Sequence, residues 1–292
     1  MTVAVQRIRA FNRTVTRRLG VLSEKYLGRE RPYAESRLLF EIGTKGADAR
    51  ALRLRLGMDS GFLSRLLRSL ERKRLVTVRP SPGDGRVRVV RLSRAGLAEL
   101  RRIDALSDRL ARSMLAPLSR AQTQRLVAAM TEVESLLRAS GVEIAPAEPA
   151  SREARYCLDQ YFGEIDARFP GGFDRGRSLS GHADFVPPRG CMLIARLFGE
   201  PVGCGALRTL GADVGEIKHM WVSPDARGLG IGHRLLDGLE RAAKRRRMHA
   251  IRLDTNASLT EALHFYRSAG YRKIDRYNDN PYAHHWFEKT LK

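Results

Sequence analysis

Apart from one hairpin, apolar residues recur at three- and four-residue intervals over the first 140 positions, and β-branched runs take over only in the second half. Ile8, Phe11, Val15, Leu19, Leu22 and Tyr26 put a stripe on a helix from Val3 to Leu27, with Arg9, Arg13, Arg17 and Arg18 opposite. Pro32 interrupts, and a second helix follows from Tyr33 to Gly43. Leu52 and Leu56 mark a short helix, Gly57 a turn, and Asp59 a cap for a helix bearing Phe62, Leu63, Leu66, Leu67 and Leu70 on one face. Val76 to Arg79 and Val87 to Leu92 read as paired strands around the loop from Pro80 to Gly85. Leu97, Leu100, Ile103, Leu106 and Leu110 predict a long helix over Gly96 to Leu115, which Pro117 ends. Ser119 and Gln122 form a capping box for a helix carrying Leu126, Met130, Val133 and Leu137.

The pattern then changes. Ser140-Gly141 through Ala150, rich in proline and alanine, reads as a linker, so the expected domains are 1–140, a linker at 141–150, and 151–292. A helix from Glu153 to Phe169 precedes three strand-like runs, Cys191 to Phe198, Val202 to Leu207 and Gly215 to Val222, forming an antiparallel meander. Arg227-Gly228-Leu229-Gly230-Ile231-Gly232 leads into a helix with Leu235, Leu236, Leu239 and Ala243 on one face. A strand at Ile251 to Asn256, a short helix at Ser258 to Arg267 and a closing strand at His284 to Lys289 complete the chain.

Charge separates the halves further. Residues 1–144 hold 30 Lys+Arg against 14 Asp+Glu, a surplus of +16, whereas residues 145–292 hold 23 against 18, a surplus of +5. The basic footprint of a nucleic-acid binder therefore lies in the first half, with a merely solubilising excess as the alternative. Cys157, Cys191 and Cys204 show no metal or disulfide spacing, and the seven histidines lack ligand spacing. No run approaches a membrane span, so a cytoplasmic, soluble protein without metal is expected.

The glycine run is the candidate chemistry. A helix's first amides and its dipole favour an anion, and glycines admit a phosphate to the main chain. No Lys-Ser or Lys-Thr follows the last glycine, which leaves a Mg-nucleotide loop unsupported, and the preceding strand lies too far along the chain to open a dinucleotide unit. With Asn256 after the next strand and Phe265-Tyr266 ahead of Gly270-Tyr271, the ordered set resembles the GNAT superfamily of N-acetyltransferases over about the last third of the chain. The resemblance implies acetyl-CoA as co-substrate, held by Arg227, Gly228, Leu229, Gly230, Ile231 and Gly232, with backbone contacts from Met220, Trp221 and Val222 and a further contact from Asn256. It implies Tyr266 as the acid for the departing thiolate and Glu216 as general base. A core tyrosine and an ion-paired strand glutamate are the alternative readings. Strand alternation puts Glu216 on the same face as Val222 unless a bulge intervenes.

In the first half, two short helices meeting at Gly57 leave Ser60, Ser64, Arg65, Arg68 and Arg72 outside, the arrangement that sets a helix in a DNA major groove. The Ser60, Ser64-Arg65-Leu66-Leu67 pattern, Asp84-Gly85-Arg86 at the hairpin tip and Leu92-Ser93-Arg94-Ala95-Gly96 resemble the MarR family of winged helix-turn-helix repressors, over about Arg31 to Leu137. Candidate DNA contacts are Ser60, Ser64, Arg65, Arg68, Arg86 and Arg88. Arg74 departs from the family pattern, which commonly has glycine there; a left-handed non-glycine costs about 1 kcal/mol, so the helix is expected to end differently.

The resulting expectation is an α+β chain of two domains. One is a mainly helical winged helix-turn-helix with a dimerisation helix layer; the other is a GNAT-like mixed β-sheet flanked by helices. Functionally it is a homodimeric regulator of double-stranded DNA joined to an acetyltransferase acting on an amine of a small molecule or a protein lysine. The rivals are a GNAT-like domain that senses acetyl-CoA or another ligand without turnover, and a basic half that binds only substrate or lipid headgroups.

Overall fold

The computed structural model describes residues 2–291 except 24–25, 82–83, 178–180 and 212, and gives only the backbone of 84–86. The chain divides into two compact units, Met1–Thr131 and Glu132–Lys292.

The first unit opens with α1 (Thr2–Leu19), in which no described side chain is buried. Then come α2 (Tyr33–Ile42), β1 (Ala47–Asp48), α3 (Ala49–Leu56), α4 (Ser60–Arg72), β2 (Val76–Ser81), β3 (Asp84–Leu92), α5 (Arg94–Leu115) and the start of α6 (Arg120–Ser140). Leu38, Leu39, Leu52, Leu63, Leu70, Val90 and Ile103 meet in one core. Local chemistry sets the ends. The Asp48 carboxylate accepts from the Arg50 and Ala51 amides, Gly57 closes α3 at φ +61°, and Asp59 caps α4 through the Phe62 amide at 2.8 Å. Ser119 and Gln122 make the expected reciprocal pair of bonds, at 2.9 and 3.2 Å.

Arg74 overturns one expectation. It takes φ +55°, and the Leu75 amide reaches back to the Leu70 carbonyl at 2.9 Å, so α4 ends as it would with a glycine. The start of α5 holds the strained turn in place, because the Ser93 hydroxyl donates to the Arg74 carbonyl at 2.7 Å and accepts from the Gly96 amide at 3.0 Å. Gly96 itself has to be glycine, because a Cβ there would lie 2.0 Å from the Leu75 carbonyl oxygen. Within the same unit, Glu35 of α2 clamps α4 by accepting from Ser69 at 2.8 Å and Lys73 at 2.7 Å.

The second unit is built on a seven-stranded sheet of order β4-β5-β6-β7-β8-β10-β9. Its strands are β4 (Val142–Ala147), β5 (Gly190–Leu197), β6 (Glu200–Thr209), β7 (Val214–Val222), β8 (Ala250–Thr255), β9 (Arg272–Ile274) and β10 (His285–Thr290). The helices are α7 (Arg152–Arg168), α8 (Ile231–Arg245) and α9 (Thr260–Ser268). Alternation divides the strands: Leu193, Leu207, Ile217 and Leu253 pack with Leu235, Leu236 and Leu239 of α8, while Met192, Ile194, Cys204 and Trp221 pack with Cys157 and Leu158 of α7.

The stretch read as a linker at 141–150 is mostly strand. β4 pairs antiparallel with β5 from Val142↔Leu197 to Ala147↔Met192. It is the edge strand, where Pro146 is tolerated because one side of the strand needs no donor.

Candidate functional site

All neighbouring strands of the second sheet run antiparallel except β7 and β8, which pair only over Val214↔Ala250, Gly215↔Ile251 and Glu216↔Arg252. Both strands continue past that point, β7 held by β6 and β8 by β10, so the sheet opens between them. A bulge in β7 shapes the opening. Cys204 pairs with Trp221 and Ala206 with Lys218, which leaves Gly205 opposite both His219 and Met220, and His219 takes φ +54°. The extra residue inverts the alternation, so Glu216 and Val222 fall on opposite faces.

The turn after β7 divides its labour by residue type. Leu229 and Ile231 sink into the α8 core, and Gly228 and Gly230 take φ +81° and +71°. No atom lies within 4 Å of where a Cβ would stand at either glycine, so the backbone faces open space. The first main-chain bond of α8 is Arg234 N–H to the Gly230 carbonyl, which leaves the preceding amides of its first turn without an intrahelical acceptor. No acidic side chain stands in that turn. These residues fit the diphosphate of a coenzyme at the helix start. Arg227, by contrast, has its guanidinium engaged, donating to Glu164 at 2.6 and 2.7 Å and to the Val222 carbonyl at 3.1 Å. Trp221 Nε1 donates to the same Glu164 at 3.0 Å. Burial alone would raise the Glu164 pKa; the bonds from Arg227 and Trp221 outweigh it and hold it below the usual range.

A cavity of about 100 Å³ lies where the strands part, lined by residues of α7, β7, β8 and α9 and by Phe173, Asn280 and Tyr282. Met220, Asn256 and Tyr266 are among its walls; Glu216 is not. Tyr266 is 7% exposed, and burial, reinforced by the charge of Asp254, raises its pKa. Asn256 braces the wall: its Nδ2 donates to the Tyr282 carbonyl at 2.7 Å and its Oδ1 accepts from the Ser258 amide at 2.9 Å. The His219 ring sits among Tyr161, Phe162 and Phe185, and burial lowers its pKa to about 3, so it is a neutral imidazole.

Glu216 departs furthest from expectation. It is fully buried, paired with Arg208 through Oε2, while its Oε1 accepts from the Tyr277 hydroxyl at 2.8 Å and Asn278 at 3.1 Å. Lys218 stands 3.2 Å from Glu216 and donates to Asp254 at 2.6 Å; Asn278 also donates to Asp254, at 2.7 Å, and Asn280 donates to its other oxygen at 2.7 Å. The carboxylate that reaches the cavity is thus Asp254 of β8, which motif spacing did not single out. The signal that could have found it is the polar run Asn278-Asp279-Asn280 just before the closing strand, whose amides meet Asp254 only in three dimensions.

In the first unit, the outer face of α4 presents Ser60, Ser64, Arg65 and Arg68 to solvent, and Arg88 is exposed on β3. The Arg65 guanidinium lies over the Phe62 ring at 5.8 Å, and Arg68 Nε donates to the Ser64 carbonyl at 3.3 Å. The Arg86 side chain lies outside the described residues.

Known proteins match both units. The family model for GNAT acetyltransferases matches residues 158–271, and that for the MarR family matches residues 31–87. An IAA acetyltransferase of Azospirillum brasilense is 35% identical over 128 residues, covering 43% of this chain and 78% of the relative. A GNAT acetyltransferase structure from Staphylococcus aureus aligns over 52% of this chain and 99% of its own, at 22% identity and TM-score 0.46. The PcaV transcriptional regulator of Streptomyces coelicolor aligns over 43% of this chain and 93% of its own, at 22% identity and TM-score 0.37. The family matches define an acyltransferase class of protein with a MarR family domain attached. The chain belongs to the GNAT acetyltransferase family, and a MarR family domain precedes that portion in the same polypeptide.

Proposed function

We propose that the protein is a dimeric DNA-binding transcriptional regulator whose second unit is an acetyl-CoA-dependent N-acetyltransferase for an amine. The observation that supports the enzymatic half is one concurrence. The bulged β7 and Tyr266 both line the cavity where β7 and β8 part, and β7 runs on into the open glycine turn at the head of α8.

Acetyl-CoA would supply an activated acyl group as a thioester. The amides at Gly228 to Gly232 would hold its diphosphate, and the main chain of Met220, Trp221 and Val222 would lie along its arm in the gap. Asp254 orients the acceptor ammonium and receives its proton directly or through water; Glu216 acts behind it, fixing Lys218 and Asn278, which both touch Asp254. Tyr266 keeps its proton because its pKa is raised, and so acts mainly as a hydrogen-bond donor to the departing sulfur. Asn256 holds the wall of the site through Tyr282.

The ion pairs around Asp254 and Glu216 are also what favours the rival reading, a sensor that binds without turnover, since both carboxylates already have partners within the fold. Thiol release across an amine panel decides between them. Tyr266→Phe and Asp254→Asn are expected to lower kcat by about 10²-fold or more, the scale of general acid–base assistance, with coenzyme binding intact. A wild-type protein that binds acetyl-CoA yet releases no thiol with any amine would establish the sensor.

For the first unit, the solvent-facing Ser/Arg side of α4 supports major-groove contact, with Arg88 on the wing strand near phosphate. Val3, Ile8 and Phe11 of α1 are 46–80% exposed, an apolar stripe suited to a second copy of the chain.

A further inference from the structure

The walls of the cavity say more about the acceptor than the motifs do. Phe162 of α7 and Phe173 of the following loop stack at 5.5 Å with 13° between their planes. Tyr282 closes on Phe173 at 4.7 Å, and Phe169 approaches both Phe173 and Tyr282 at 6.0 Å. All four rings line the cavity and none is fully buried; the Arg175 guanidinium lies over Phe162 at 4.5 Å and that of Arg177 over Tyr282 at 5.8 Å, and what remains exposed of the four rings is apolar surface for a ligand to cover. Ring faces carry negative potential and stack best on other rings, so such a wall prefers a flat aromatic group or a cation held close to one. The charged groups on the lining are few. Asp254 is the one carboxylate there among the described residues; it shares Lys218 with Glu216, and Glu216 is met by Arg208 as well. A polyamine would need several spaced carboxylates, and an acidic amino acid an unpaired cation at the floor. Neither is present on the described lining. The volume, about 100 Å³, is of the order that takes a single ring.

We infer that the acceptor is an arylalkylamine: a primary amine joined to an aromatic ring by a short chain, its ring against Phe162, Phe173 and Tyr282 and its nitrogen at Asp254. This rests on the acetyltransferase reading and narrows it. The transfer forms one N–C bond and breaks one C–S bond. Of the two protons that the ammonium gives up, one ends on the sulfur and the other passes to solvent.

The test uses the intact protein with phenethylamine, cyclohexylethylamine, spermidine and a lysine-containing peptide. Calorimetry on CoA-saturated protein reads binding, and thiol release with acetyl-CoA reads turnover. Phenethylamine is expected to bind tightest, and Phe173→Ala to weaken it about tenfold with Phe173→Leu intermediate, the scale of a lost ring contact, while CoA affinity stays unchanged. Preference for spermidine or the peptide, or equal binding of phenethylamine and cyclohexylethylamine, would overturn the inference while leaving acetyl transfer standing. Selective phenethylamine binding without thiol release would uphold the pocket's specificity and remove the transferase reading instead. Phe173 variants that weaken every amine alike would also count against it.

Discussion

At the scale of single residues, the site is governed by which carboxylate reaches the cavity wall. Glu216 and Asp254 sit on adjacent parallel strands and share Lys218 and Asn278, but burial by Arg208 and Tyr277 removes the first from any substrate. Nothing local in the sequence could reveal this, because the bulge that inverts the alternation rests on His219 taking φ +54°, a conformation expected of glycine. The same histidine yields a pH prediction. Its folded pKa, about 3, lies below the ordinary value of about 6.5, so the unfolded chain binds a proton that the folded chain refuses in that window. Stability is full above the ordinary value and is lost as pH falls toward the folded one; His285, also shifted down, adds with the same sign. Between about pH 6.5 and 5, above the carboxylate range, chemical denaturation of His219→Gln should show a slope smaller by up to one proton. An unchanged slope would mean that the imidazole is charged in the fold.

Elements were legible wherever capping and spacing acted locally. Asp59 and the pair Ser119 and Gln122 start their helices as their spacing predicts, and the glycine run stands at the head of α8. Elements defined by distant partners were not. β4 resembles a linker because Pro146 and its alanines say nothing of the β5 edge they pair with, and β9 is three residues paired with β10. Arg74 shows tertiary structure overriding propensity: it keeps a left-handed turn because Ser93 and Gly96 need its carbonyl and its neighbour's close approach. Arg74→Gly should therefore stabilise the intact protein by up to about 1 kcal/mol, read as a raised denaturation midpoint. A loss of stability would show that the arginine side chain contributes more than the strain costs.

For the whole molecule, the nucleic-acid contact proposed for the first unit rests on the charge surplus of +16 over residues 1–144 and the outward Ser/Arg face of α4. Two substitutions separate positioning from reading. Arg88→Ala should lower affinity for all DNA sequences alike and reduce the salt slope by about 1, whereas Arg65→Ala should relax sequence preference at one position and cost about 1–3 kcal/mol there. Fluorescence anisotropy against ionic strength, with matched and scrambled duplexes, distinguishes the two; identical losses on both duplexes for Arg65→Ala would place α4 outside the groove.

Acetyl transfer requires the amides at the head of α8 to grip a coenzyme in the gap between β7 and β8, and calorimetric titration of acetyl-CoA into the intact wild type and into Gly228→Val and Gly230→Val tests this most directly. Saturable one-to-one binding by the wild type, weakened about tenfold or more in either variant because a side chain would crowd the phosphates and strain the turn, is the result expected. Equal binding by all three proteins, or none by the wild type, would contradict it.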